Sequence, residues 1–266
     1  MNIVDLSRSS HLERAVRVSA EDAASFCLAS EHSLRIYVNE ALAMQVVCTP
    51  DHLDELAAGR LLTEGLIRAP DDIRELYICA QGLNCKVWLH EAAPVASSPD
   101  LAISVGTCCT DSRTLVEQKY RDLPRVRPVP WEADWLRATA GQLKDGAPLY
   151  ALTHAAHACY LGRAGEILCV REDIGRHNAL DKAIGYGLLN GVSLTECYLL
   201  TTGRMPADMV AKAIRAGIPL LASKTFPTAE GLAMAREAGL TLVTLRGAEQ
   251  MIVWNREGAE SSGRPD

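Results

Sequence analysis

From residue 167 to residue 254 the chain alternates apolar runs of strand length with stretches of helical spacing. This alternation limits its possible folds more than any other feature. Residues 167–170, 198–200, 218–222, 240–245 and 251–254 read as strands. Between them lie three helical stretches. The first has Leu180, Ala183, Ile184 and Leu188 on one face. The second is opened by Pro206 and runs through Met209, Val210, Ala213 and Ile214 to Gly217, and the third ends at Gly239. A β-α-β-α-β order implies parallel strands joined by crossovers. Ligands in such sheets bind beyond the carboxyl ends of the strands. Three loops leave those ends, residues 171–178, 201–205 and 223–228. Each combines a cation with a backbone turn, and the second and third add hydroxyls, so their convergence predicts a site for a phosphate-bearing ligand.

The first of these loops holds the densest chemistry. A strand ends, the chain turns polar through Gly175, and a helix begins at Asp173 or just after it. Free N–H groups at such a helix start make an anion-binding corner. His177 and Asp181 share a helix face, as do Asn178 and Lys182. A charge run of this kind is ordinarily a solvated face, but the glycine and the position after a strand favour a site. The candidates are Arg176, His177, Asn178, Asp181 and Lys182. Thr202, Gly203, Arg204 and Lys212 join them from the second unit, and Ser223 and Thr228 from the third. His154 and His157 stand just before the strand that leads into this region, and His157 is added to the set.

The first half is less regular. Residues 1 to about 30 are polar and weakly patterned, an arm or edge segment. Residues 34–38 and 43–47 flank Asn39-Glu40 as a β-hairpin. Thr49-Pro50-Asp51 reads as a helix start, with Leu53, Leu56, Ala57 and Leu61 as the buried stripe and Gly65 as the stop. Two strand-like runs follow near 76–79 and 86–89, then a small-residue linker over 92–100. Residues 101–105 are strand-like and lead into Gly106-Thr107-Cys108-Cys109-Thr110-Asp111-Ser112. Two adjacent thiols in a polar loop before a helix start are placed for a lowered pKa and reactivity. Cys27, Cys159, Cys169 and Cys197 sit in apolar runs and read as core fillers.

The nine cysteines are scattered, with no C-x-x-C and no Cys/His set at zinc spacing, so no zinc is expected. Residues 1–8 lack the apolar core of a signal peptide and no run is long enough to span a bilayer. A cytoplasmic, non-membrane protein with reduced thiols is expected. The net charge of −6 argues against sequence-independent nucleic-acid binding.

The motif Glu172-Asp173-Ile174-Gly175-Arg176-His177-Asn178-Ala179-Leu180-Asp181-Lys182 resembles that of the formate dehydrogenase accessory sulfurtransferases. Gly203-Arg204, Met209 to Ala213, Ala216 to Pro219, Pro227-Thr228 and Gly239 to Leu242 resemble the same family, as do Tyr37 to Glu40, Thr49-Pro50, Leu56 to Gly59 and Glu64-Gly65. The resemblance implies an α/β fold, a cytidine-deaminase-like three-layer α/β/α sandwich over 101–255. A smaller N-terminal α+β part is expected over 1–100 and a disordered tail over 256–266. It implies a sulfur carrier that accepts sulfur from a cysteine desulfurase as a cysteine persulfide. The sulfur then passes to the molybdenum of the bis(molybdopterin guanine dinucleotide) cofactor of formate dehydrogenase. A cytoplasmic homodimer is implied as well. The family's cofactor loop falls near Leu245, Arg246, Gly247, Ala248, Glu249 and Gln250. Two departures stand out. The family's Cys-Gly-x-Cys reads Gly106-Thr107-Cys108-Cys109 here, so Cys109 matches the second family cysteine or Cys108 the first. The family's Thr-Gly-Gly-x-His reads Thr153-His154-Ala155-Ala156-His157. A cofactor-binding chaperone without sulfur transfer is the alternative these departures leave open.

Overall fold

The computed structural model describes residues 1–9, 12–19, 25–90, 122–143, 146–246 and 250–255. In the first half, β1 (Asn2–Asp5), β4 (His32–Val38), β5 (Ala41–Cys48), β6 (Ile73–Ile78) and β7 (Asn84–Leu89) form one sheet in the order β1-β6-β7-β4-β5. β2 (Ala15–Ser19) and β3 (Ser25–Ala29) pair as a separate ribbon, so the weakly patterned start of the chain is stranded rather than loose. The expected hairpin is β4–β5. Asn39 and Glu40 both have positive φ, as a tight two-residue hairpin turn requires. Helix α1 (Leu53–Thr63) packs on β6 and β7, and all eleven of its residues are buried.

In the second half, α2 (Ala133–Gly141) and α3 (Pro148–Thr153) precede β8 (His157–Arg163) and β9 (Glu166–Asp173). Then come α4 (Arg176–Leu189), β10 (Tyr198–Thr201), α5 (Ala207–Arg215), β11 (Leu220–Ser223), α6 (Ala229–Ala238), β12 (Thr241–Arg246) and β13 (Gln250–Val253). The six strands form one sheet, ordered β13-β12-β11-β10-β8-β9. β10, β11 and β12 are parallel neighbours, as the alternation implies. β9 runs in the same sense but is not their neighbour, because β8 pairs antiparallel with both β9 and β10. The strand that carries the motif is therefore an edge of the sheet among the described residues, not its centre. Side chains alternate across the sheet. Leu199, Leu221 and Leu242 face a core built with α1, α4, α5 and α6, while Tyr198, Leu200, Ala222 and Val243 face Leu136 of α2 and Leu143. The fold is thus mixed α/β, with helices on both faces of the larger sheet. The expected boundary near residue 100 and the tail from 256 lie outside the described residues.

The two halves are joined through α1 and α4. A Cβ built on Gly59 would stand 1.9 Å from the Asp181 carbonyl oxygen, and one on Gly185 1.8 Å from that of Glu55. Only glycine permits this backbone-to-backbone approach. Residues from both sheets consequently belong to a single apolar core.

Candidate functional site

The motif after β9 divides over little more than one turn of helix. Asp173 does not cap α4 directly. The helix starts at Arg176 with Gly175 as its N-cap, and no side-chain cap hydrogen bond forms there among the described residues. Asp173 Oδ1 instead accepts from the Gly175 N–H at 2.9 Å and from Asn178 Nδ2 at 3.0 Å. Asn178 also donates to the Val47 carbonyl at 2.8 Å. Lys182 is wholly buried, with Nζ 2.8 Å from Asp173 Oδ2, 2.6 Å from Asp51 Oδ1 and 2.7 Å from Thr49 Oγ1. Burial alone would lower its pKa, but Asp173 and Asp51 outweigh burial and hold the ammonium above its ordinary range. Thr49 and Asp51, expected as the start of α1, serve this lysine instead. The helix begins at Leu53 behind an uncapped His52.

One turn on, Asp181 is also fully buried. Its carboxylate accepts from Thr63 Oγ1 at 2.7 Å, from Lys212 Nζ at 2.9 and 3.0 Å, and from Arg60 Nη1 at 3.2 Å. Burial, and next the Arg60 charge, lower the Lys212 pKa despite Asp181 and Glu64. Asn178, Asp181, Lys182 and Lys212, all expected at the ligand, are corrected to an interior role. Their polar groups are satisfied by partners on α1 and β5 and at the start of α1, and they have no free donor to offer a ligand. Thr228 likewise caps α6 by accepting from the Gly231 N–H at 3.1 Å. Ser223 Oγ is buried and donates to the Gly203 carbonyl at 2.6 Å.

The remaining candidates meet at the edge where β9, β10 and β11 end. Thr225 Oγ1 also donates to the Gly203 carbonyl at 3.0 Å, and Thr228 N–H donates to the Met205 carbonyl at 3.2 Å, which locks the second and third loops together. Gly203 lies against the stem of Arg176; a Cβ there would be 2.7 Å from the Arg176 Cβ. Thr202 Oγ1 accepts from the Ala158 N–H at 3.0 Å and lies 3.4 Å from His157 Nδ1. The edge is rich in basic groups: Arg176, half-buried; Arg204 and Lys224, exposed; and the imidazoles of His157 and His177. Arg176 Nε is buried with no hydrogen-bond partner among the described residues.

His177 Nε2 lies 2.6 Å from Asp208 Oδ2, within ion-pair range though out of line for a good hydrogen bond. Burial would raise the Asp208 pKa, but His177, the Met209 N–H and Arg176 together hold it below the usual carboxylate value. Asp208 is the functional candidate the sequence reading missed. Its signal was its place in the first turn after Pro206, facing a histidine on another helix. The His157 pKa is lowered by burial first, then by the charges of Arg176, His177 and Arg204. His154 is not part of the edge group. It ends α3 with positive φ and stacks its exposed ring edge-on against Tyr150.

Arg246, exposed, lies over the Phe226 ring at 5.7 Å, which brings the end of β12 beside the third loop. Gln250 is its cross-strand partner, and Leu245 is buried in the core. Gly247, Ala248 and Glu249 lie outside the described residues, as do Cys108 and Cys109. Cys48, Cys85, Cys159, Cys169 and Cys197 are buried free thiols, whereas Cys27 and Cys79 are only half-buried. Burial pushes Cys169 up to about 12 and Cys197 up to about 11, which leaves them un-ionised at neutral pH. A cleft of about 540 Å³ elsewhere is lined by Arg8, Arg14, Asp51, Glu55, Arg171 and Tyr186. Its cations are already paired: Arg171 with Glu55, Arg14 with Asp51, and Arg8 with Asp54. No helix among the described residues is long and apolar enough to cross a membrane.

Residues 29–259 match the FdhD/NarQ family. The sulfur carrier protein FdhD of Mycolicibacterium paratuberculosis is 32% identical, over 96% of this chain and 98% of that protein. The FdhD of Mycobacterium tuberculosis is 34% identical over 86% and 90% respectively, and that of Geobacillus kaustophilus 32% over 86% and 88%. The crystal structure of a protein from Desulfotalea psychrophila, assigned as a formate dehydrogenase accessory protein, superposes with a TM-score of 0.71. It is 29% identical and covers 92% of this chain and 96% of its own.

Proposed function

The chain belongs to the FdhD/NarQ family, and from that premise we propose that it is a sulfur carrier in the maturation of formate dehydrogenase. In this reading Cys109 or Cys108, as a thiolate, attacks the terminal sulfur of a cysteine desulfurase persulfide. It takes that sulfur as its own persulfide and releases the desulfurase cysteine as a thiolate. The acceptor is the molybdenum bis(molybdopterin guanine dinucleotide) cofactor, bound as substrate. Arg176, Arg204 and the start of α4 would receive its phosphates, with His157, Thr202 and Gly203 beside them and Arg246 at the end of β12 on the far side. The observation that carries the ligand half of the reading is this cation-rich edge, whose flanking carboxylates, Asp173 and Asp208, are already paired. The buried thiols of the described residues, held un-ionised, support assigning the transfer to the 108–109 pair. A deaminase-like layering of the larger sheet, a homodimeric assembly and a cytoplasmic setting belong to the same reading.

Two measurements test it. Incubation with a cysteine desulfurase and cysteine, followed by peptide mass spectrometry, is expected to place an added sulfur on Cys108 or Cys109. Calorimetric titration is expected to show GDP binding and much weaker ADP binding. GDP binding with no sulfur adduct on either cysteine would favour a cofactor chaperone without transfer. No GDP binding at millimolar concentration would remove the cofactor site.

A further inference from the structure

His157 opens β8, opposite Asp173 of β9 in the sheet register. Thr202 of the loop after β10 lies 3.4 Å from its ring, the next residue Gly203 packs against the Arg176 stem at the start of α4, and the charges of Arg176, His177 and Arg204 act on it. Each nearby carboxylate already has cationic or N–H partners. Asp173 is held by Lys182, Thr49, Gly175 and Asn178. Asp208, on the first turn of α5, is held by His177 and the Met209 N–H. Among the described residues His157 therefore has basic neighbours and no uncommitted carboxylate, and a neutral hydroxyl, that of Thr202, lies 3.4 Å from its Nδ1.

We infer that this edge takes up its anion together with a proton: His157 is neutral in the free protein and becomes an imidazolium when a phosphate group sits among it, Arg176 and Arg204. The inference rests on the reading of the edge as a phosphate site. Burial and the surrounding cations lower the His157 pKa in the free protein. A phosphate reverses the local field, and a close opposite charge raises a histidine pKa by about 1–3 units. The imidazolium then gives the phosphate a further charge-assisted donor. His177 does not take this role, because its ring is already matched to Asp208.

The test uses ligands that do not themselves titrate near neutrality, GDP-mannose and inorganic sulfate. Calorimetry in buffers of different ionisation enthalpy counts the protons taken up on binding. The intact protein is expected to take up a substantial fraction of one proton near pH 7. Its affinity should rise by up to about tenfold per pH unit as pH falls through the linked range. His157→Gln is expected to bind without that uptake, and His154→Gln to behave like the parent. Should His157→Gln fail to fold, the His157 imidazole shifts followed by NMR against pH, with and without sulfate, give the same answer. A His157 pKa that sulfate does not raise overturns the inference, as does proton uptake that persists in His157→Gln. Either result leaves the cofactor reading standing if GDP-mannose binds. Sulfate binding with uptake but no GDP-mannose binding supports the inference and counts against the guanine dinucleotide as ligand. Binding of neither ligand removes both.

Discussion

Arg176 and His177 on one side, and Asp181 and Lys182 on the other, stand within seven residues of one helix, yet they belong to different kinds of structure. The interior set is matched charge for charge. Lys182 meets two carboxylates, Asp181 meets a lysine and an arginine, and of these partners Asp51 and Arg60 come from chain more than a hundred residues away. In the edge set only His177 is matched, to Asp208. Among the described residues Arg176 has a buried nitrogen without a partner, Arg204 is exposed, and the carboxylates nearby are already held. Burying charge is costly unless every group is paired, whereas a cation left unpaired at a sheet edge is available to a ligand. The same stretch of sequence therefore holds the protein together with one half and, in the proposed reading, meets an anion with the other.

The sharpest way to break this contrast is to remove a member of the interior set. Lys182→Met leaves Asp173 buried without its cation and is expected to cost about 3–5 kcal/mol in urea unfolding. Gly185→Ala attacks the same interface by volume. Its methyl would meet the Glu55 backbone, and a loss of about 3 kcal/mol, at the upper end for overpacking, is expected from the same measurement. If either variant keeps the parent's stability but loses ligand binding, the interior assignment is wrong. At the edge the pattern should invert. Arg176→Ala is expected to leave the melting temperature nearly unchanged and to weaken GDP binding by roughly 1.5–3 kcal/mol, read by calorimetry. A large stability loss there would make Arg176 structural too.

The smallest effect is in pH. The folded protein holds His157 below its ordinary pKa, so below about pH 6.5 the unfolded chain binds more protons than the folded one. Stability should therefore decline as pH falls through that range. His157→Gln should flatten the slope in unfolding curves taken at several pH values.

The parts of the fold that were legible in the sequence are those set by local periodicity. The hairpin at Asn39-Glu40, the stripe of α1, the order from β10 to β13 and the three loops all follow from spacing and turn chemistry. The fate of the charged residues was not legible. Spacing places Asn178 and Lys182 on one face but does not say whether that face meets water or Thr49 and Asp51, because the partners are distant in sequence. The insertion of β8 between β9 and β10 was hidden for the same reason. Strand direction follows from the alternation, but adjacency depends on long-range pairing. Asp208 was missed because a single aspartate in a first helical turn looks like an ordinary dipole partner until His177 is seen across from it.

The near contact of α1 and α4 at Gly59 and Gly185 also bears on how the chain is made. α1 leaves the ribosome more than a hundred residues before α4, and all of its faces are buried in the finished protein. Until α4 arrives, the N-terminal sheet carries an apolar helix with one side uncovered, a state open to aggregation and to chaperones. The early segments cannot lock into place first. Closure waits for the motif strand and its helix, so the last stage of folding and the assembly of the cation-rich edge become one event. A chain stalled or cut before residue 189 would then lack both its ligand site and a stable first half.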